Sequence, residues 1–344
     1  MNKAEFFKTL RSLLRTMPEQ DCEKVIAFYE EMISDRMEEG ISEEEVIAQF
    51  GDVGKLAADI LEEAPAAGYV SGGKENKVYE IAGSVSSAVE LRAKNLSVEV
   101  HVSKDDMLRF HYFENDIVRF TIRQHGDALY LEQQQPSMIK WMLSGLFHWV
   151  NQPLLLEVPE SFVGRLHVES TNAKISAQGI ALGGSLTLHT SNAGIDLCDS
   201  SAMELEAVTS NGKIEARRLQ AEKGVLCRSS NSKVCVDTVT CAAAEFISSN
   251  GKVEVKNTDT DGLLGVTTSN GKIVVNAVSG GEIRLKTING KIEGSIKGRQ
   301  EQYKITCHTV NGKCNVPNQI VQGPCRSIAA KTVNGNIELT FPEG

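Results

Sequence analysis

This 344-residue chain lacks long apolar runs, paired cysteines at metal or redox spacing, an overall basic excess and the short motifs of common enzymes. No stretch approaches the roughly 20 apolar residues a membrane-spanning helix needs, so a transmembrane protein is not expected. No CxxC occurs, which excludes a zinc ribbon and a thioredoxin-like motif. The histidines, at 101, 111, 125, 148, 167, 189 and 308, form neither HExxH nor another metal-ligand spacing, and there is no GxSxG elbow. The nearest phosphate-loop lookalike runs from Gly265 to Gly271-Lys272. It has the wrong spacing and continues with Ile273 where Ser or Thr is needed. Scattered acids such as Asp196, Asp237 and Asp259 occupy different places in the pattern described below, unlike the clustered carboxylates of β-helix enzymes that cleave acidic sugars. The expectation is a non-enzymatic protein without cofactor or metal. The first residues, Met1 to Lys8, are charged and amphipathic rather than a secretion leader. Eight cysteines in that setting point to reduced thiols and a cytoplasmic location.

Charge is present but one-sided. Residues 1–64 carry a net charge of −9 and the remainder carries none. Nucleic acid binding needs a basic footprint, so no direct nucleic acid contact is expected. Within the acidic segment, Phe6, Phe7, Leu10, Leu13 and Leu14 recur at helical spacing. Val25, Ile26, Tyr29, Met32, Ile33 and Met37 do the same in a second stretch. Ser42-Glu43-Glu44-Glu45 is a capping box that opens a short helix with Val46, Ile47 and Phe50 inward. Leu56, Ala57, Ile60 and Leu61 complete a bundle of four short helices over residues 1–63. The exposed acids Glu30, Glu31, Glu38 and Glu39 are candidate protein-docking residues for a partner with a basic face. Residues 64–77 are rich in Gly, Ala and Pro and read as a flexible linker.

The rest of the chain is a repeat. Ser/Thr-x-Asn-Gly-Lys-Ile/Val recurs, in full or with one or two replacements after the Asn, with Asn at 172, 192, 211, 231, 250, 270, 289, 311 and 334. Six and four residues before each Asn, and three after it, the residues are mostly aliphatic, with polar residues between. Each unit is therefore two short strands with one apolar face, joined at Asn-Gly. Asn-Gly suits a type I′ hairpin and also a solenoid corner, and both readings invoke positive φ. Nearly constant repeat length and matching residues at matching positions favour stacked coils of about 20 residues, a β-solenoid. The predicted fold is thus α+β in two domains, a helical bundle and a large β-solenoid over 78–344. Within it, 78–160 form irregular first coils and 161–344 the regular ones.

Lys follows Gly in most units. Lys213, Lys252, Lys272 and Lys291 would form a stripe able to contact an anionic polymer or lipid headgroups, partly neutralised by Glu215, Glu254, Glu293 and Glu338. Both tryptophans lie in Met138–Val150, a segment too short to span a bilayer. Trp141, Phe147 and Trp149 there are candidates either for capping the solenoid end or for a peripheral membrane or partner contact.

Two resemblances rest on these residues. The string Gly40-Ile41-Ser42-Glu43-Glu44-Glu45-Val46-Ile47-Ala48-Gln49-Phe50-Gly51-Asp52 resembles the HTH-associated α-helical signalling (HAAS-like) module of Gram-positive bacteria. That resemblance implies a docking role and, as partner, a PadR-like transcription regulator. The run from Val78, with Leu156-Glu157-Val158-Pro159 leading into the Asn-Gly repeats, resembles the bacterial "putative adhesin" β-helix family of unknown function. That implies a place in cell-envelope stress signalling, as an interaction or scaffold protein. The alternative reading is a carbohydrate-binding or polysaccharide-active β-helix.

Overall fold

The computed structural model describes residues 1–38, 41–63, 75–85, 87–115, 118–134, 152–321 and 326–342. Glu39, residues 64–74 of the expected linker, and the 138–150 segment with Trp141, Phe147 and Trp149 lie outside the described residues. The chain forms two compact units.

The helical unit has four helices, α1 (Lys3–Leu13), α2 (Glu19–Glu38), α3 (Glu43–Gln49) and α4 (Val53–Glu63). Its core follows the apolar spacing. Phe6, Leu10, Leu14, Val25, Tyr29, Ile33, Val46, Ile47 and Ile60 are buried together. Phe50 closes an aromatic cluster, with its ring 5.5 Å from Phe6 and 5.1 Å from Tyr29. The Ser42 capping box forms, with the Glu45 N–H donating to Ser42 Oγ and the Ser42 N–H donating to the Glu45 carboxylate. A second box, Asn2 with Glu5, opens α1. Each satisfies N–H groups that the first helical turn leaves without partners.

The β unit is a parallel solenoid. Each regular coil has an arm before the Asn and an arm after it, and both pair in parallel with the coils on either side. Leu186 lies in register with Leu166 and Leu205, and Ile214 with Ile195 and Val234. The hairpin alternative is thereby excluded. Residues three after each Asn point inward, and Ile175, Ile195, Ile214, Val234, Val253, Ile273, Ile292 and Ile337 are all fully buried. Only Cys314 at that position is half-buried.

The corner chemistry differs from the expectation. Among the ladder asparagines only Asn95 has positive φ, and the Gly that follows Asn211, Asn250, Asn270, Asn289, Asn311 and Asn334 has none. In those coils glycine allows close approach instead, while Ala173, Ala193 and Ser232 hold the same place in three others. A Cβ at Gly212 would lie 1.6 Å from the Ala193 carbonyl oxygen, and one at Gly290 1.8 Å from that of Gly271. The left-handed residues form a second corner, seven after the Asn: Gly179, Asp199, Arg218, Thr238, Asn257 and Ala277, with φ between 48° and 72°. That conformation costs a non-glycine residue roughly 1–2 kcal/mol, and stacking sustains it coil after coil.

At both ends the stacking order departs from the chain order. Ala88–Ala93 pairs with Arg165–Ser170 on one edge and with the later Ala128–Gln133 on the other. Val98–Val102 likewise sits between Ile175–Gln178 and Leu154–Val158. The coil over 88–102 is therefore inside the stack, and the chain travels outward before returning to 165–178. At the other end the last strand pair, Arg326–Lys331 and Ile337–Thr340, is inserted. Arg326–Lys331 pairs with Glu282–Lys286 on one edge and Tyr303–His308 on the other. The final repeat in sequence is the penultimate coil in space.

Candidate binding surfaces

The Asn column is a continuous amide ladder. Each Nδ2 donates to the Oδ1 of the neighbouring coil at 2.6–2.8 Å, in the order Asn311, Asn334, Asn289, Asn270, Asn250, Asn231, Asn211, Asn192, Asn172, Asn95. Asn95 is a tenth member that the sequence motif does not reveal. Leu96-Ser97 replaces Gly-Lys after it, and 76 residues separate it from Asn172. The amide groups are thus engaged with one another along the stack.

The Ser/Thr two residues before each Asn is equally committed. Thr209 Oγ1 donates to the Ala193 carbonyl at 3.0 Å and accepts from the Gly212 N–H at 3.1 Å. Ser248 and Thr268 repeat this with the Ser232 and Gly251 carbonyls and the Gly251 and Gly271 N–H groups. These hydroxyls are buried, and among the described residues no buried side-chain polar atom lacks a partner. Most of the repeat motif is therefore spent on the stack itself.

The lysines are its outward part. They stand beside a column four residues after the Asn in which, from Glu215 to Glu293, a carboxylate recurs every second coil. Lys213 pairs with Glu215, which also takes Arg217. The next coil has Cys235 in the acidic position, so Lys233 reaches over to Glu254, which Lys252 and Lys256 already share at 2.9 and 3.0 Å. The coil after has Val274 there, and Lys272 reaches to Glu293 at 2.5 Å, shared with Lys291. Lys291 also pairs with Glu338 at 2.6 Å. Three lysines hold the Glu254 carboxyl down at about 2, below the ordinary carboxylate range. All four candidate lysines thus share carboxylates. The gap at Cys235 opens a shallow depression of about 220 Å³ lined by Lys213, Arg217, Lys233, Asp237, Glu254 and Lys256.

On the helical unit, Glu30 and Glu31 are exposed on α2. Glu38 ends that helix. Glu30 also borders an open cleft of about 690 Å³ whose walls include Phe7, Ile26, Lys8, Arg11 and Glu43.

The acids weighed for catalysis are each tied to a neighbour. Asp196 pairs with Lys174, Asp237 accepts from Asn257 and Thr238, and Asp259 binds Lys297 and Ser279. The core thiols are poor nucleophiles, because burial pushes Cys227 up to about 12 and Cys241 to about 11. Among the described residues no three His, Cys, Asp or Glu are grouped to hold a metal ion. No described helix is long and apolar enough to cross a membrane.

A helical module followed in sequence by a parallel β-solenoid, with its polar columns bonded coil to coil, defines the class. The chain belongs to the Toastrack DUF4097 family, which matches residues 86–343. Its amino-terminal part, residues 5–59, matches the HAAS family. Among solved structures it is similar to a "putative cell adhesion protein" from Clostridium sporogenes ATCC 15579, at 14% identity and TM-score 0.22, covering 78% of this chain and 100% of that one. It is also similar to a "putative adhesin" from Parabacteroides merdae ATCC 43184, at 12% identity and TM-score 0.39, covering 79% of this chain and 98% of that one. A third, from Parabacteroides distasonis ATCC 8503, has 9% identity and TM-score 0.32 and covers 78% and 98%. No curated protein matches the chain.

Proposed function

We propose that the protein is a non-enzymatic scaffold of Gram-positive envelope-stress signalling. Its HAAS module docks a regulator, of PadR-like type, and its solenoid presents a contact surface. The observation that carries this is the concentration of the net charge, −9, on residues 1–64. Such a field speeds and selects encounter with a basic partner rather than supplying most of the affinity. On the solenoid the lysine column around Lys213, Lys252, Lys272 and Lys291 is the surface offered to an anionic ligand. Cations there outnumber the carboxylates they share. Trp141, Phe147 and Trp149 are the candidates for a peripheral membrane or partner contact.

The test is a binding measurement with a purified PadR-like regulator encoded in the same genome. Reversing Glu30, Glu31, Glu38 and Glu39 to Lys in the intact chain should slow association at least tenfold at low salt, and the difference should shrink as salt rises. An unchanged association rate at low salt would overturn the docking assignment.

A further inference from the structure

The three coils at the carboxyl-terminal end differ from the others at the residue just before the Asn. That column reads Thr171, Ser191, Ser210, Ser230, Ser249 and Ser269, then Ile288, Val333 and Val310 in stacking order. The three aliphatics are 43%, 38% and 62% exposed. They are contiguous, since the Val333 N–H donates to the Ile288 carbonyl and the Asn311 N–H to the Val333 carbonyl.

Beside this stripe, on the outer face of the same arm, lies a column of basic residues. Lys286 stands in register with Lys331, and Lys331 with His308. All three are exposed. Arg284 and Lys304 share the face. Its one carboxylate, Glu282, is bonded to Arg284 at 2.6 Å. Among the described residues no carboxylate pairs with Lys286, Lys304 or Lys331. Like charges placed opposite one another on neighbouring strands destabilise a sheet. In the lysine column from Lys213 to Lys291 each lysine has a carboxylate, and here Lys286 and Lys331 do not. Residues 282–342 carry nine Lys and Arg against four Glu, a net of +5.

We propose that this apolar and basic face docks the acidic helical module of a second copy of the chain. The charge complement is on the same polypeptide, −9 on residues 1–64 against +5 on residues 282–342. The module also offers apolar surface. Met37, 44% exposed, lies seven residues after Glu30 on α2 and so on the same side of the helix, and Leu13 is 41% exposed. The contact joins two different surfaces, so it is heterologous and links copies head to tail. It does not require the regulator proposed above. Both partners use the acids of α2, so they compete for the module.

Sedimentation velocity of the intact chain over a range of concentrations tests this. At low salt the mass should rise with concentration, and the rise should fall off as the Debye length drops below about 10 Å. The Lys286→Glu/Lys331→Glu variant should raise the apparent Kd at least tenfold, and so should Glu30→Lys/Glu31→Lys. An equimolar mixture of the two variants should regain association, because each retains the end the other has lost; this also shows that both are folded. A chain that stays monomeric at every concentration at low salt, association unchanged in the Lys286→Glu/Lys331→Glu variant, or a mixture that fails to associate would each overturn the proposal. None of these readings depends on a regulator, so this contact can fail while regulator binding stands, and the reverse.

Discussion

Removing residues 326–344 should unravel more than the piece removed. In sequence this segment is the tail of the chain, and in space it is an inner coil. Its loss strips Glu282–Lys286 and Tyr303–His308 of a shared hydrogen-bonded neighbour and cuts the amide ladder between Asn289 and Asn311. It also removes the buried side chains of Ile328, Ile337 and Leu339. At about 1.5–3 kcal/mol each, these contribute roughly 5–9 kcal/mol of burial. The coil over 303–315 then has no partner edge. In a stacked repeat each coil is stabilised by its neighbours, so that coil should be lost with the segment. Limited proteolysis with mass mapping checks this. The truncated chain should be cut within 297–320, where the intact chain is protected. Equal protection in both would show that the last repeat lies at the tip.

The second large effect is at the centre of the stack. Ile214 is fully buried, with Ile195 and Val234 in register on either side. Ile214→Asp places a carboxylate at a fully buried position between aliphatic neighbours. An uncompensated buried charge costs about 3–5 kcal/mol unless the group takes up a proton. Ile214→Val, which removes one methylene, should cost only about 0.5–1.5 kcal/mol. Urea unfolding of both variants separates them. A small change for Ile214→Asp would mean that the column three residues after the Asn is not the core.

Columns whose role depends on side-chain type could be read from the sequence. The aliphatic columns repeat because each faces the same interior. The Asn repeats because its side-chain amide donates through Nδ2 and accepts through Oδ1, so each bonds the amides of the coils on both sides. The Ser or Thr before it, visible in the motif, acquires its role only from the two backbone groups it meets. Other features left no such mark. The left-handed corner uses Gly179, Asp199, Arg218, Thr238, Asn257 and Ala277, which share a backbone conformation and no side chain. Asn95 was hidden because Leu96-Ser97 follows it and an excursion to the outer coil separates it from Asn172. The exchange of the last two coils left only longer spacings, 22 and 23 residues instead of 19 or 20. A repeat's own sequence states that it must stack and does not state on which neighbour.

The candidate contact residues divide in a similar way. The lysine stripe was visible as a column, but its sharing of carboxylates across two coils follows from Cys235 and Val274 interrupting the acids. The basic and apolar face at the carboxyl-terminal end was not visible, because Lys286, Lys331 and His308 become neighbours only through the inserted coil.

The division of labour between module and solenoid is tested most directly by titrating the PadR-like regulator against the intact chain and against residues 75–344, by calorimetry at low salt. Saturable binding to the intact chain, and none to residues 75–344, is the predicted result. Equal affinity for both would contradict it and assign the docking surface to the solenoid.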